Sequence, residues 1–212
     1  FYTFQTISYS LDIYWKQLKP TKSFISFAAF VSFFPQLVAG PIERAKNLLP
    51  QISSKRTTSA SNIINGLQLI IWGLFKKVVI ADSLGSHVDI IFNNYQNLNG
   101  GILFIGIVYF SFQLYCDFSG YSDIAIGTAK LFGFELMSNF RYPFFASNPI
   151  DFWNRWHISL SSWVKDYLYS PLALFFLRKF KHQLMNYIPH FLTMVIIGFW
   201  HGANWTFIFF GL

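Results

Sequence analysis

Apolar stretches alternate with short polar, often basic ones along the chain. Phe24–Gly40, Ile63–Ala81, Ile102–Tyr121 and Phe191–Leu212 stand out as apolar runs. Most come close to the roughly 20 residues an α-helix needs to cross about 30 Å of hydrocarbon. The pattern predicts an all-α, multi-pass membrane bundle. Pro35 interrupts the first run; proline removes a helical hydrogen bond and pushes the preceding residue out of the helical region. Basic residues flank this run on both sides, Lys16, Lys19 and Lys22 before it and Arg44, Lys46, Lys55 and Arg56 after it. A simple crossing carries its positive charge on one side. The segment is therefore expected to be re-entrant, or broken at Phe34–Pro35, with its irregular backbone covered by protein or a cavity.

Ile63–Ala81 is expected as a span, with Lys76 and Lys77 snorkelling from its end. Asp82–Gly101 carries Asp82, Asp89 and several asparagines but no Lys or Arg, and reads as an exoplasmic loop. Ile102–Tyr121 is the next span, with Ala125–Phe134 as a short separate piece. Asn148-Pro149-Ile150-Asp151 is a helix start: a capping amide, proline at the first helical position, and a carboxylate over free N–H groups. Trp153, Trp156, Leu160, Trp163, Val164 and Tyr167 follow at helical spacing, predicting one interfacial helix with an aromatic face. Arg178, Lys179 and Lys181 read as a cytoplasmic loop, and Phe191–Leu212 as a final membrane helix.

Composition supports this. Of 212 residues 53% are hydrophobic and 12% charged, about half the charge of a typical soluble domain. Aromatics are abundant, with 27 Phe, 11 Tyr and 7 Trp. The formal charge of +7 suits loops facing anionic lipid headgroups. The basic residues form no face interleaved with aromatics, so nucleic acid is not an expected partner. Cys116 is alone, which excludes an intrachain disulfide. The chain begins mid-pattern and stops inside an apolar run, so it is expected to be an internal fragment, one membrane-embedded domain over 1–212, incomplete at both ends.

Candidate chemistry comes from polar residues in apolar runs, which are costly at bilayer depth and face partners or cavities. His201 lies in Gly198-Phe199-Trp200-His201-Gly202-Ala203-Asn204-Trp205. Gly198 and Gly202 permit close backbone approach, and Asn204 is expected on the same side of the helix as His201. The alternative for His201 is a packed, inert histidine. Gln113, Asp117 and Gly120 form a polar stripe on the Ile102–Tyr121 helix; Asp123 does not share its face. Asp117 is either a tunnel-lining group or a structural acid paired with a lysine or arginine. His157 borders the aromatic face near Arg155 and Trp156, and is either catalytic or simply interfacial. Glu43 and Arg44 sit at a turn that is either a substrate entrance or a solvated loop. No HExxH, cysteine pair or spaced carboxylate cluster is present, so no metal is expected.

Phe33–Ile42, Gln113–Asp123, Asn148–Tyr169 and Gly198–Trp205 together resemble the membrane-bound O-acyltransferase family, on the bacterial side that contains alginate O-acetyltransferase membrane subunits and teichoic-acid D-alanyl transfer proteins. Trp156-His157-Ile158-Ser159-Leu160 and His201-Gly202-Ala203-Asn204-Trp205 place it nearer the alginate branch. The resemblance implies a many-helix enzyme of the cytoplasmic (inner) membrane with a funnel or tunnel. It places the family's catalytic histidine on His201 and a second one on His157. Asn204, Trp200, Asp117, Gln113, Arg155 and Trp156 become candidate substrate or tunnel-lining residues. No bound cofactor is implied; acetyl-CoA or another acyl thioester is the donor substrate. The implied partners are membrane lipid, an acyl donor or carrier protein, and an extracytoplasmic polysaccharide acetyltransferase subunit. D-alanyl transfer, a transporter and a non-catalytic scaffold are the competing readings.

Overall fold

The computed structural model describes residues 2–37, 40–180, 187–202 and 204–211. They divide into two compact units, residues 1–159 and 160–212. Every described element is helical or a loop: α1 Tyr2–Tyr14, α2 Phe24–Val31, α3 Ala45–Ser53, α4 Ala60–Leu74, α5 Asp82–Asn93, α6 Gly100–Leu131, α7 Pro149–Trp153, α8 Ile158–Val164, α9 Ser170–Lys179, α10 Ile188–His201 and α11 Trp205–Gly211.

Two helices dominate the first unit. α4 and α5 join through a π-helical segment, Phe75–Ala81, into one helix of 34 residues, Ala60–Asn93. α6 is continuous over 32 residues. At 1.5 Å per residue each is about 50 Å long, more than a bilayer core. Ile64, Leu67, Ile71, Trp72, Val78 and Val79 on the first, and Phe104, Ile107 and Phe112 on the second, are exposed. So much apolar surface on long helices is favourable against lipid and costly against water.

The two run antiparallel, in backbone contact at two points. A Cβ on Gly66 would stand 2.8 Å from the Gly127 carbonyl oxygen, and one on Gly73 2.6 Å from that of Gly120. Without side chains at these positions the helices close to van der Waals distance, the main attraction between helices in lipid. Beside the Gly73–Gly120 contact lie the charges. Lys76 Nζ reaches Asp123 Oδ2 at 2.6 Å and donates to Ser119 Oγ at 3.0 Å. Lys77 Nζ lies 2.7 Å from both Asp117 Oδ1 and Asp82 Oδ1. Two expectations are thus corrected: Lys76 is held by α6 instead of snorkelling, and most of Asp82–Gly101 is helix instead of loop. Lys76 is buried, Asp82–Asn93 is helix, and only a short connection containing Tyr95–Asn97 separates it from α6. Ala125–Phe134 is likewise no separate piece, because α6 runs on to Leu131.

The expected break at Phe34–Pro35 is present: α2 ends at Val31 and a 3-10 turn, Phe34–Gln36, follows with the proline as its second residue. Val38 and Ala39 of the first apolar run lie outside the described residues, as does Lys181. α2 and α3 pack on the end of α6 through Phe30, Leu48, Leu49, Ala129 and Phe134. α3 also holds a loop segment, 135–139. Gln51 accepts from the Glu135 N–H at 2.8 Å and donates to its carbonyl at 3.0 Å. Glu43 accepts from the Met137 N–H and from Asn47. Burial raises the Glu43 carboxyl above its ordinary value, opposed by those hydrogen bonds and by Arg44.

Lys76→Met removes the cation and leaves the partly buried Asp123 without it. The expected cost is about 3 kcal/mol, read as a lower melting temperature of the detergent-solubilised full-length protein. Most of it returns in K76M/D123L. A K76M protein that melts with its parent would refute the structural role of the pair.

Candidate active site

α6 presents a second face, opposite in role to the lysine-bound one. Phe118 and Ser122 lie one turn apart there, and Ser122 is buried. The 135–139 segment brings Asn139 to this face, with only 1% of its surface exposed. Its Nδ2 donates to Ser122 Oγ at 3.0 Å. Its Oδ1 lies 2.9 Å from His157 Nδ1 and accepts from the Ser159 hydroxyl at 2.9 Å and the Ser159 N–H at 3.3 Å. The Asn139 carbonyl accepts from the Ile158 N–H at 2.8 Å, and the Arg155 carbonyl from the Arg141 N–H at 2.9 Å. Side chain and main chain together bind the turn that carries His157.

That turn corrects the expected single helix. Asn148 caps α7, its Oδ1 accepting from the Asp151 N–H at 2.8 Å, and Pro149 follows as the first helical residue. The helix nevertheless stops at Trp153, and α8 starts at Ile158. Between them His157 adopts φ 42°, in the left-handed region, which costs a residue with a Cβ about 1–2 kcal/mol. The aromatic series Trp153–Tyr167 therefore lies on more than one helix. Breaking the helix turns His157 back toward Asn139. Its ring meets Phe118 edge-on at 4.6 Å and stacks over Phe140 at 6.3 Å. Trp156 stacks on Phe152 at 5.6 Å and meets Phe140 edge-on at 5.2 Å. Arg155 Nε bonds Asp151 Oδ1 at 2.8 Å, which lowers the Asp151 pKa and raises that of Arg155.

In the second unit the expected helix Phe191–Leu212 is also divided. α10 ends at His201, Gly202 is extended, and α11 starts at Trp205. α11 folds back on α10: a Cβ on Gly198 would collide with the Phe207 carbonyl, and one on Gly211 with the Met194 carbonyl. Asn204 therefore does not continue the helical face of His201. It opens α11, its Oδ1 accepting from the Thr206 N–H at 3.2 Å. His201 is the last residue of α10, exposed, its ring 4.8 Å from that of Trp200.

Residues 16–212 match the family model of membrane-bound O-acyltransferases. The chain belongs to this family. Its place is in the alginate O-acetylase-like branch. It is 43% identical to the "Probable alginate O-acetylase AlgI" of Pseudomonas putida, over 100% of this chain and 42% of that protein. It is 41% identical to the "Peptidoglycan O-acetyltransferase" of Helicobacter pylori, over 100% of this chain and 44% of that protein. It is 31% identical to the "Teichoic acid D-alanyltransferase" of Streptococcus thermophilus, over 88% of this chain and 47% of that protein. The chain thus spans less than half the length of these relatives.

For a membrane-bound O-acyltransferase, the residues singled out in the sequence fall into three groups. His157, Trp156 and Arg155 belong to the turn bound by Asn139. Gln113 and Asp117 lie on the other face of α6, where Gln113 packs on Gly85 and Asp117 pairs with Lys77. His201, Trp200 and Asn204 belong to the α10–α11 hairpin of the second unit. Asn139 and Ser122 were missed. A single asparagine in an aromatic segment carries no periodicity, and its histidine lies 18 residues away. Among the described residues no three His, Cys, Asp or Glu side chains converge as a metal site.

The hairpin makes a direct prediction. Gly198→Val forces α11 away from α10 and is expected to cost about 1–3 kcal/mol, measured as thermal stability of the purified full-length protein. Unchanged melting in G198V would show that the two helices do not pack through glycine.

Proposed function

We propose that the whole protein is a multi-pass O-acyltransferase of the bacterial cytoplasmic membrane, and that it supplies or transfers acetyl groups for O-acetylation of an extracytoplasmic polysaccharide. The observation that carries this is the breadth of the matches. Relatives named for acyl transfer to three different glycopolymers all align over 88–100% of this chain. Acetyl is favoured over D-alanyl because the acetylating relatives are 41–43% identical and the D-alanyl one 31%. In this reading the 212 residues are one stretch of a larger membrane-embedded domain, with broken or re-entrant segments such as Phe24–Gln36 and interfacial ones such as α7.

The chemistry follows from the residue types. Transfer from a thioester to a hydroxyl needs a base that is neutral near physiological pH, which suits histidine. His201 takes the proton of the acceptor hydroxyl, and the oxygen attacks the thioester carbonyl. The tetrahedral oxyanion collapses, the C–S bond breaks, and the imidazolium returns the proton to the leaving thiolate. His157 is the second catalytic histidine. Asn204, Trp200, Arg155 and Trp156 bind the donor and acceptor or steady the oxyanion, with Gln113 and Asp117 as tunnel-lining groups. The donor is acetyl-CoA or another acyl thioester, delivered free or on a carrier protein. An extracytoplasmic transferase subunit completes the route to the polysaccharide.

His201→Ala in the full-length protein should lower acyl transfer at least about 100-fold with normal membrane abundance. Mass analysis of envelope polysaccharide with and without the gene reads the product. A lost acetyl ester is expected. A lost D-alanyl ester would move the protein to that chemistry, and unchanged esters, or a fully active H201A, would overturn the reading.

A further inference from the structure

The geometry points to Asn139 as the positioning residue that sets which ring nitrogen of His157 carries the lone pair, holding the proton on Nδ1 and leaving Nε2 as the basic atom. This rests on the acyl-transfer reading of His157 and adds to it a residue and a tautomer.

The amide itself is oriented by its neighbours. The Ser159 backbone N–H can only donate, and at 3.3 Å it faces the Asn139 atom that also faces His157 Nδ1. That atom must be the oxygen; the reversed amide would set NH₂ against N–H. The Ser159 hydroxyl donates to the same oxygen at 2.9 Å, and the NH₂ end donates to Ser122 Oγ at 3.0 Å. His157 Nδ1, 2.9 Å from an acceptor, is therefore the donor. In the neutral ring the lone pair is then on Nε2. Asn139, Ser122 and Ser159 are at most 1% exposed, so water does not substitute for the hydrogen bonds that hold the Asn139 amide between the two serines.

The acceptor is also neutral. A carboxylate in its place would stabilise the imidazolium and keep the ring protonated to higher pH. The ring meets Phe118, Phe140, Asn139 and Ser159. Titratable groups on the elements packed there include Tyr115, Asp123 (held by Lys76), Arg141 and the Arg155–Asp151 pair. An amide at the hub adds no charge to this set.

The test uses membranes containing the full-length protein, labelled acetyl-CoA as donor, and the host's own envelope polysaccharide as acceptor, over a range of pH. Asn139→Asp keeps shape and acceptor, and the Ser122 hydroxyl can rotate to donate to it. N139D is expected to keep its rate at alkaline pH while the acid limb moves up by about 1 pH unit. Asn139→Leu, which removes the acceptor, is expected to lose about 100-fold or more at every pH, with membrane abundance checked by immunoblot. A merely structural asparagine would lower both variants without moving the limb. An N139D profile that superimposes on the parent's, or a fully active N139L, overturns the proposal. If H157A is fully active, or the parent transfers no label, the acyl-transfer reading of His157 has failed instead.

Discussion

Backbone contact between the two long helices is the constraint on which the first unit depends. Gly66 against Gly127 and Gly73 against Gly120 bring α4 and α6 together with no side chain between them. That closeness lets Lys76 and Lys77 reach carboxylates on α6 from the next turn. In lipid these pairs are costly to separate, since neither water nor counterions replace a lost partner. Fixed in this way, α6 offers its other face, Phe118 and Ser122, as a wall on which Asn139 and His157 are built.

A repeated arrangement follows in each unit. The candidate histidines sit where helices are interrupted. His157 lies in the break between α7 and α8, and His201 at the end of α10 where Gly202 is extended. A helix interior has its backbone N–H and C=O groups engaged with each other, and its side chains diverge radially. An interruption frees both to converge on one point, as the Asn139 carbonyl and amide do on the 157–159 turn. The left-handed φ of His157 is the local cost of that convergence.

Much of this was legible in the chain, and the limits are physical. Helical class, the break before Pro35, the Asn148 cap and the need of Asp117 for a basic partner or a cavity follow from local rules, because proline geometry, capping and the cost of a charge in an apolar run act over a few residues. The errors share one cause, that tertiary partners override local composition. Asp82–Asn93 looks like a polar loop, yet it is helical as a continuation of a span whose lysines are tied to α6. Trp153–Tyr167 has helical spacing, yet the hydrogen bonds of Asn139 reward a break there. Phe191–Leu212 is long and apolar, yet the glycines that allow close approach serve a helix folding back from within the same run.

The π-helical segment Phe75–Ala81 has a consequence for how this chain tolerates change. A π-turn is an α-helix carrying one surplus residue. Deleting one residue there would let the helix close at ordinary pitch with α5 nearly in its present phase relative to α4, because the wide turn is what absorbs the surplus residue. Lys77 and Asp82, five apart and bonded across that turn, would become four apart and still share a face, and Gly85 would stay beside Gln113. Loss of a residue from α4 or α5 instead turns everything beyond it by about 100° and breaks those contacts. The wide turn is therefore the place in this long helix where the chain should absorb a one-residue deletion, as it should point substitutions at the exposed Val78 and Val79.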